Sequence, residues 1–295
     1  MKYIFSVLAL VSIFLLSSCG TGKQLTQQKA TADNYYSDGN YAEALTAYKA
    51  IIATYETNNN SEACPVYTKA GESALKTNDA KLAVEYLKKA TYSTFGNEYS
   101  YFYLANAYEQ VDNLSLEIGA LNDYLDKYPQ GKEINAIKMR SFFTAVESDN
   151  YDKALSLWPE LIANNENNIQ LIEAYFLVNR KADNTATCNN IANNLLDIDE
   201  NNIVALTWFG KKYYRKAEDL YRKEMKAYEK HKTNKQYKIL LKALDAVTVD
   251  FKKSLTYFKK LYTLEPTAEN ANYLSHIYGR LSDKKKEAYY KKLAK

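Results

Sequence analysis

Apolar residues along this chain recur at helical rather than alternating spacing. Tyr67, Ala70, Gly71 and Ala74 form one stripe and Ala83, Leu87 and Ala90 the next, with polar residues between them. Positions three and four apart share one face of an α-helix, so each stripe predicts an amphipathic helix and the two together a helical hairpin. The pattern then repeats. Thirty-four residues after Tyr67 stands Tyr101, with Leu104, Ala105 and Tyr108 in step, and this copy continues through Leu121, Tyr124 and Pro129. Its first helix carries a large residue, an adjacent large and small pair, and another large residue; the small one lets the paired helix approach closely. Short polar clusters separate the stripes. Ser37-Asp38-Gly39-Asn40 offers a residue at ease with positive φ to end one helix and side-chain oxygens to start the next. Ser148-Asp149-Asn150 repeats that turn, with Asn150 expected in the glycine's role because Asn tolerates the left-handed conformation.

Further copies are visible on either side. Ala32 and Tyr35 precede Ala44 and Tyr48; Ala145 precedes Ala154 and Trp158; Leu171, Ala174 and Tyr175 lead to Ile191. Leu206, Phe209, Gly210 and Tyr213 open another unit, and Ser254, Phe258, Leu261 and Pro266 end one. A helix-turn-helix of this residue pattern and a period of about 34 residues resembles the tetratricopeptide repeat. The resemblance implies an all-α superhelical solenoid of antiparallel helix pairs over residues 25–266, closed by capping helices over 267–295. Between Tyr213 and Val249 the pattern fails. Tyr214 to Lys232 contains no Gly or Pro and predicts one long helix, Tyr237 to Ala246 another, so 214–249 is expected to be an irregular or lengthened unit.

Composition narrows the chemistry. Only 9 Gly and 4 Pro occur in 295 residues, well below the usual shares of about 7% and 5%, which argues against an all-β protein or a glycine-turned α/β enzyme. Two His and three Cys leave little material for a metal site or a nucleophile and base. No glycine-rich phosphate loop and no zinc- or calcium-binding spacing is present. The expectation is therefore a non-enzyme without cofactor, metal or catalytic residues. Cys64 and Cys188 lie 124 residues apart, more than three repeats; since each solenoid repeat touches only its neighbours, they are expected to be separate buried thiols. Asp197, Asp199 and Glu200 read as a helix-capping loop.

The N-terminus is a different kind of segment. Lys2 precedes an apolar run from Ile4 to Leu16, shorter than the roughly 20 residues a spanning helix needs. Leu16-Ser17-Ser18-Cys19 then resembles the lipobox of bacterial lipoproteins. What the resemblance implies is a signal peptide over 1–18, cleavage before Cys19, and lipid on that cysteine, with 19–24 a short tether. Two or three acyl chains make a durable anchor. In such lipoproteins Asp after the modified Cys favours the inner membrane, and position 20 is Gly; no Asp or Glu occurs between Cys19 and Asp33 to direct surface display. The expected location is a Gram-negative outer membrane, facing the periplasm.

Charge is unevenly spread. Residues 19–204 carry 15 Lys and Arg against 25 Asp and Glu, and residues 205–295 carry 23 against 10. Lys211, Lys212, Arg215, Lys216, Arg222, Lys223 and Lys226 recur at helical spacing with acidic residues between them, as on a solvated, ion-paired face. Nucleic acid is not expected as a partner outside the cytoplasm. In tetratricopeptide proteins ligands usually lie in the concave groove, on outward residues of each first helix. By register these are Tyr36, Tyr99, Phe102, Met139, Phe143, Ile172, Phe176 and Tyr214. Their apolar character implies a partner segment or helix laid in the groove, and hence a non-catalytic scaffold for envelope proteins. The alternative is a peptidoglycan- or glycan-binding module that uses the tyrosines, 28 in all, and the basic C-terminal third.

Overall fold

A computed structural model describes residues 22–295; the signal segment and Cys19 lie outside the described residues. Helix α1 covers 22–37 of the described chain. It is followed by α2 (Tyr41–Thr57), a 3₁₀ turn (Ser61–Ala63), α3 (Tyr67–Lys76), α4 (Ala80–Tyr92), α5 (Glu98–Gln110), α6 (Leu114–Lys127), α7 (Ile134–Glu147) and α8 (Tyr151–Ile162). Then come α9 (Ile169–Lys181), α10 (Thr185–Ile198), α11 (Ile203–Lys230), α12 (Asn234–Leu264), α13 (Ala268–Arg280) and α14 (Lys284–Leu293). No strand occurs among the described residues, in keeping with the all-α class of helix pairs. The described residues divide into two compact units, the first ending at Leu161 and the second spanning Ile162–Lys295.

One dipeptide closes most hairpins, and it explains the scarcity of glycine. The first helix of a pair ends in a residue of positive φ: Gly39 at 77°, Asn78 at 60°, Asp112 at 55°, Asp149 at 57°, Asp183 at 53° and Ser282 at 64°. The residue after it donates its backbone N–H to a carbonyl five positions back, as from Asp79 to Ala74 at 2.8 Å and from Asn113 to Tyr108 at 2.9 Å. Except at Asn40, its side chain then caps the second helix: Asp79 accepts from Leu82 N, Asn113 from Leu116 N and Asn184 from Thr187 N. A short polar side chain hydrogen-bonds locally in the left-handed region, so Asn and Asp replace Gly there at little cost. In the 148–150 turn the left-handed residue is Asp149, not the expected Asn150, which instead accepts from Lys153 N at the start of α8. The cap of α11 is Asn202, accepting from Ala205 N at 3.0 Å, while Asp199 shapes the preceding turn through Asn201 N.

In the first unit, Tyr48, Ile51, Tyr67, Leu87, Leu121 and Tyr124 are fully buried in one continuous core. Burying such a side chain is worth about 1.5–3 kcal/mol. Close approach depends on the small residues: a Cβ on Gly71 would stand 2.4 Å from Cγ of Leu87, which has no exposed surface. Tyr35 departs from its expected packing role and is 39% exposed. The expected tether also departs, because residues 22–24 already belong to α1; nothing between Lys23 and the body of the helix interrupts backbone hydrogen bonding.

The second unit has its own core of Leu206, Ala217, Val247, Phe251, Phe258, Leu261, Leu274 and Ile277. Here the stretch where the repeat pattern breaks down is one hairpin with both arms lengthened. The first-helix residues Leu206 to Tyr213 run on without interruption to Lys230, and the segment 237–246 is continuous with the second-helix residues Ser254 to Leu261. Gly210 lets α11 and α12 meet: its carbonyl accepts from the buried Ser254 Oγ at 2.9 Å, and a Cβ there would stand only 3.1 Å from the Phe258 ring.

Candidate functional site

The groove residues named from the sequence fall in both units. In the first, Tyr36 (α1), Tyr99 and Phe102 (α5), and Met139 and Phe143 (α7) are half-buried. Their surroundings are tied by internal bonds. Tyr36 Oη donates to Glu72 of α3, a carboxylate 7% exposed. Burial, with the nearby Glu72 carboxylate, raises the pKa values of Tyr36 and of Tyr103 on α5, so both phenols stay protonated as donors. Beside them Asp33 accepts from Lys29 (2.6 Å), Tyr48 (2.7 Å) and Lys69 (2.8 Å). Burial works against that carboxylate, yet the two ammonium groups and the phenol hold its pKa below the ordinary value. These polar groups stitch α1, α2, α3 and α5 together. Phe143 leans edge-on against the buried Phe142, and Tyr99 stacks with Tyr103.

In the second unit the structure places Ile172 and Phe176 deeper than expected, at 1% and 3% exposure. Ile172 is a core residue with no surface to offer a ligand. Tyr214 is half-buried, edge-on to Phe251 and Tyr273, with its hydroxyl 3.2 Å from His276 Nδ1. Phe176 borders a cleft of about 600 Å³ between α9, the start of α10 and α11.

That cleft has an aromatic wall and a cationic rim. The Phe176 ring meets Trp208 edge to face, with centroids 5.4 Å apart. Asn189 Oδ1 fixes two of the groups, accepting from Trp208 Nε1 at 3.0 Å and Lys212 Nζ at 2.8 Å. Lys211 reaches Glu269 on α13 at 2.7 Å. Arg180 and Arg215 also line the cleft and form no ion pair among the described residues. Against these four cations the lining holds one carboxylate, Asp183. Cys188 sits in the wall, buried, with its thiol pKa pushed up by burial. Such a site can hold an apolar side chain against the rings and an anionic group between the guanidinium forks, which match a carboxylate in two hydrogen bonds.

Arg180 and Trp208 were not singled out from the sequence, and Lys211, Lys212 and Arg215 were read there as a solvated, ion-paired face rather than as part of a site, though a signal existed. Extending Ile172 and Phe176 by one further turn arrives at Arg180, and Thr207, Lys211 and Arg215 follow the same four-residue step on α11. Among the described residues there is no group of three or more His, Cys, Asp or Glu placed to hold a metal ion. Nor is any described helix long and apolar enough to cross a membrane.

Neither a family model nor a curated protein matches the sequence. Solved structures do match the fold. The C-terminal part of a tetratricopeptide-repeat protein from Cytophaga hutchinsonii aligns with a TM-score of 0.55 at 12% identity, over 90% of this chain and 93% of that one. A structure from Bacteroides ovatus aligns at 0.52 and 18% identity, over 74% and 97%. YrrB, described as a tetratricopeptide protein with an unusual peptide-binding site, aligns at 0.51 and 15%, over 61% and 89%. The chain thus has the fold of tetratricopeptide-repeat proteins, an α solenoid of helix pairs.

Proposed function

We propose that this chain is a membrane-anchored, non-catalytic adaptor of the bacterial envelope that holds an acidic segment of a partner protein in the α9–α11 cleft. The observation that carries the reading is the cleft itself: two aromatic rings and two guanidinium groups that form no ion pair among the described residues line about 600 Å³. An extended peptide needs an apolar pocket for one side chain and a fixed polar group beside it, and both are present. The peptide-binding site ascribed to YrrB, a neighbour in fold, supports the class of ligand. Glycan binding through the tyrosines has less support. The Tyr36 hydroxyl is engaged by Glu72, and Tyr213 and Tyr257 stack on each other at 6.0 Å inside a hairpin.

A random peptide library panned over the purified protein tests this. Enriched sequences should pair Asp or Glu with an aromatic or large aliphatic residue, and their affinity should fall at least about tenfold for Arg180→Gln/Arg215→Gln, since loss of one charge-assisted bond costs about 1.5–3 kcal/mol. Absence of enrichment, or equal binding by that variant, refutes the cleft. The anchor is tested separately: Cys19→Ala should abolish labelling by a fatty-acid probe and release the protein from envelopes. Recovery of the intact lipoprotein in the outer-membrane fraction is the expected location, and recovery in the inner membrane would refute it.

A further inference from the structure

The lengthened α11–α12 hairpin carries a surface that the cleft does not use. Repeat helices elsewhere in the chain have 10 to 17 residues, whereas α11 has 28 and α12 has 31. The last buried residue of α11 is Glu218 and the first of α12 is Leu240. No residue from Asp219 to Ile239 is buried. At about 1.5 Å per residue the arm from 219 to 230 extends roughly 18 Å beyond the last buried position. Leu220 and Tyr221 still pack against the core, with Arg280 of α13 over the Tyr221 ring, and further out the two arms meet through half-buried residues and the ring pair Tyr228–Tyr237 at 5.7 Å.

This projection is strongly basic and studded with apolar side chains. Residues 222–242 hold eight Lys or Arg against Glu224 and Glu229. Arg222 pairs with Glu218 and Lys223 with Glu224. Among the described residues the other six, all lysines, form no ion pair. Tyr237, Ile239 and Leu241 are 47%, 44% and 45% exposed and stand among Lys235, Lys238 and Lys242. A helix end held together by two arms loses stability from such crowding of like charge, so the arrangement calls for an anionic counterpart. The residue type says which. The cations without an ion pair among the described residues are all lysines, point charges that suit a diffuse anionic surface rather than a bidentate contact. Lysine stems can lie along an apolar boundary with their heads in water, and tyrosine favours the same interface.

We propose that the distal half of the α11–α12 hairpin docks on an anionic phospholipid surface through the α12 face that Lys235, Lys238, Ile239 and Lys242 share, with Ile239 entering the headgroup region and the lysines meeting lipid phosphates. The test uses residues 20–295, which retain every described element and lack the lipid. This protein should sediment with phosphatidylcholine vesicles containing phosphatidylglycerol and not with phosphatidylcholine alone. Lys235→Gln/Lys238→Gln/Lys242→Gln should weaken that binding on the order of a hundredfold, from the contribution of each lysine near an anionic surface. Ile239→Ser should weaken it too, and leave what remains more sensitive to salt. The matched control is Lys284→Gln/Lys285→Gln/Lys286→Gln on α14, with the same change of charge and full binding expected. Circular dichroism confirms folding of each variant. No sedimentation with the anionic vesicles overturns the proposal, as does equal loss in the α14 control. So does sedimentation of the hairpin variant at wild-type level.

Discussion

The same substitution at two glycines should have opposite effects. Gly71 lies in the middle of α3 and Gly119 in the middle of α6, both in the first unit. Replacing a helix-interior Gly by Ala stabilises by about 0.8–1 kcal/mol where nothing is in the way. At Gly119 no atom lies within 4 Å of the added Cβ, so Gly119→Ala should gain close to that amount. At Gly71 the Cβ would meet three Leu87 carbons, at 2.4, 2.8 and 3.1 Å. Leu87 is fully buried and cannot swing into solvent. Overpacking of this kind costs about 1–3 kcal/mol, leaving Gly71→Ala up to about 2 kcal/mol less stable than the parent. The two variants should differ by about 1–3 kcal/mol, or roughly 2–12 °C in melting temperature at the usual 2–4 °C per kcal/mol for a chain of this size. Thermal and urea unfolding followed by circular dichroism measure the difference. Leu87→Ala, which alone should cost about 2–5 kcal/mol, should cost less in the Gly71→Ala background because the intruding methyl fills part of the cavity. If the two glycine variants prove equally stable, the close α3–α4 approach is refuted.

Three further outcomes follow from the charged and thiol groups. Arg140→Met should cost about 3 kcal/mol in urea titration, because it strands Glu117, whose side chain is 2% exposed and held by the guanidinium; Glu117→Met/Arg140→Met should recover much of the loss. Asp33 has a lowered pKa, so its contribution is complete above the unfolded value of about 3.9 and is lost as pH falls through the folded one. The parent should therefore lose stability below about pH 4 more steeply than Asp33→Asn, and identical acid profiles would remove Asp33 from the account. Cys64 and Cys188 are free and buried, with pKa values raised by burial. Neither should react with iodoacetamide at mildly alkaline pH until urea is added, and rapid native alkylation would contradict their burial.

Much of the helical architecture is legible in particular residues. Tyr67, Tyr101 and Tyr108 occupy the packing positions that their spacing indicates, and the hairpin turns lie where the polar clusters stand. The binding surface is less legible. Ile172 and Phe176 follow the outward register, yet both are buried. A four-residue step says which side of a helix a residue occupies, but not how closely its neighbours cover that side. The cationic partners of the cleft were hidden for a related reason. In sequence Arg180 stands apart, and Arg215, 35 residues on, reads as part of a solvated charged face. Only the packing of α9 beside α11 makes them share a space.

By itself the sequence determined the class of fold, because periodicity, small residues at contact positions and turns of Asn or Asp are local properties that act wherever the chain goes. It also established the charge imbalance, which needs no folding to be read. Tertiary structure decided the rest. It merged the interrupted repeat into one long hairpin, because α11 and α12 meet at Gly210, Ser254 and Phe258 and nothing between Leu206 and Lys230 breaks the helix. It also separated the tyrosines that stitch helices together from those left exposed, since a phenol's role is set by the acceptor and the rings that distant segments bring to it.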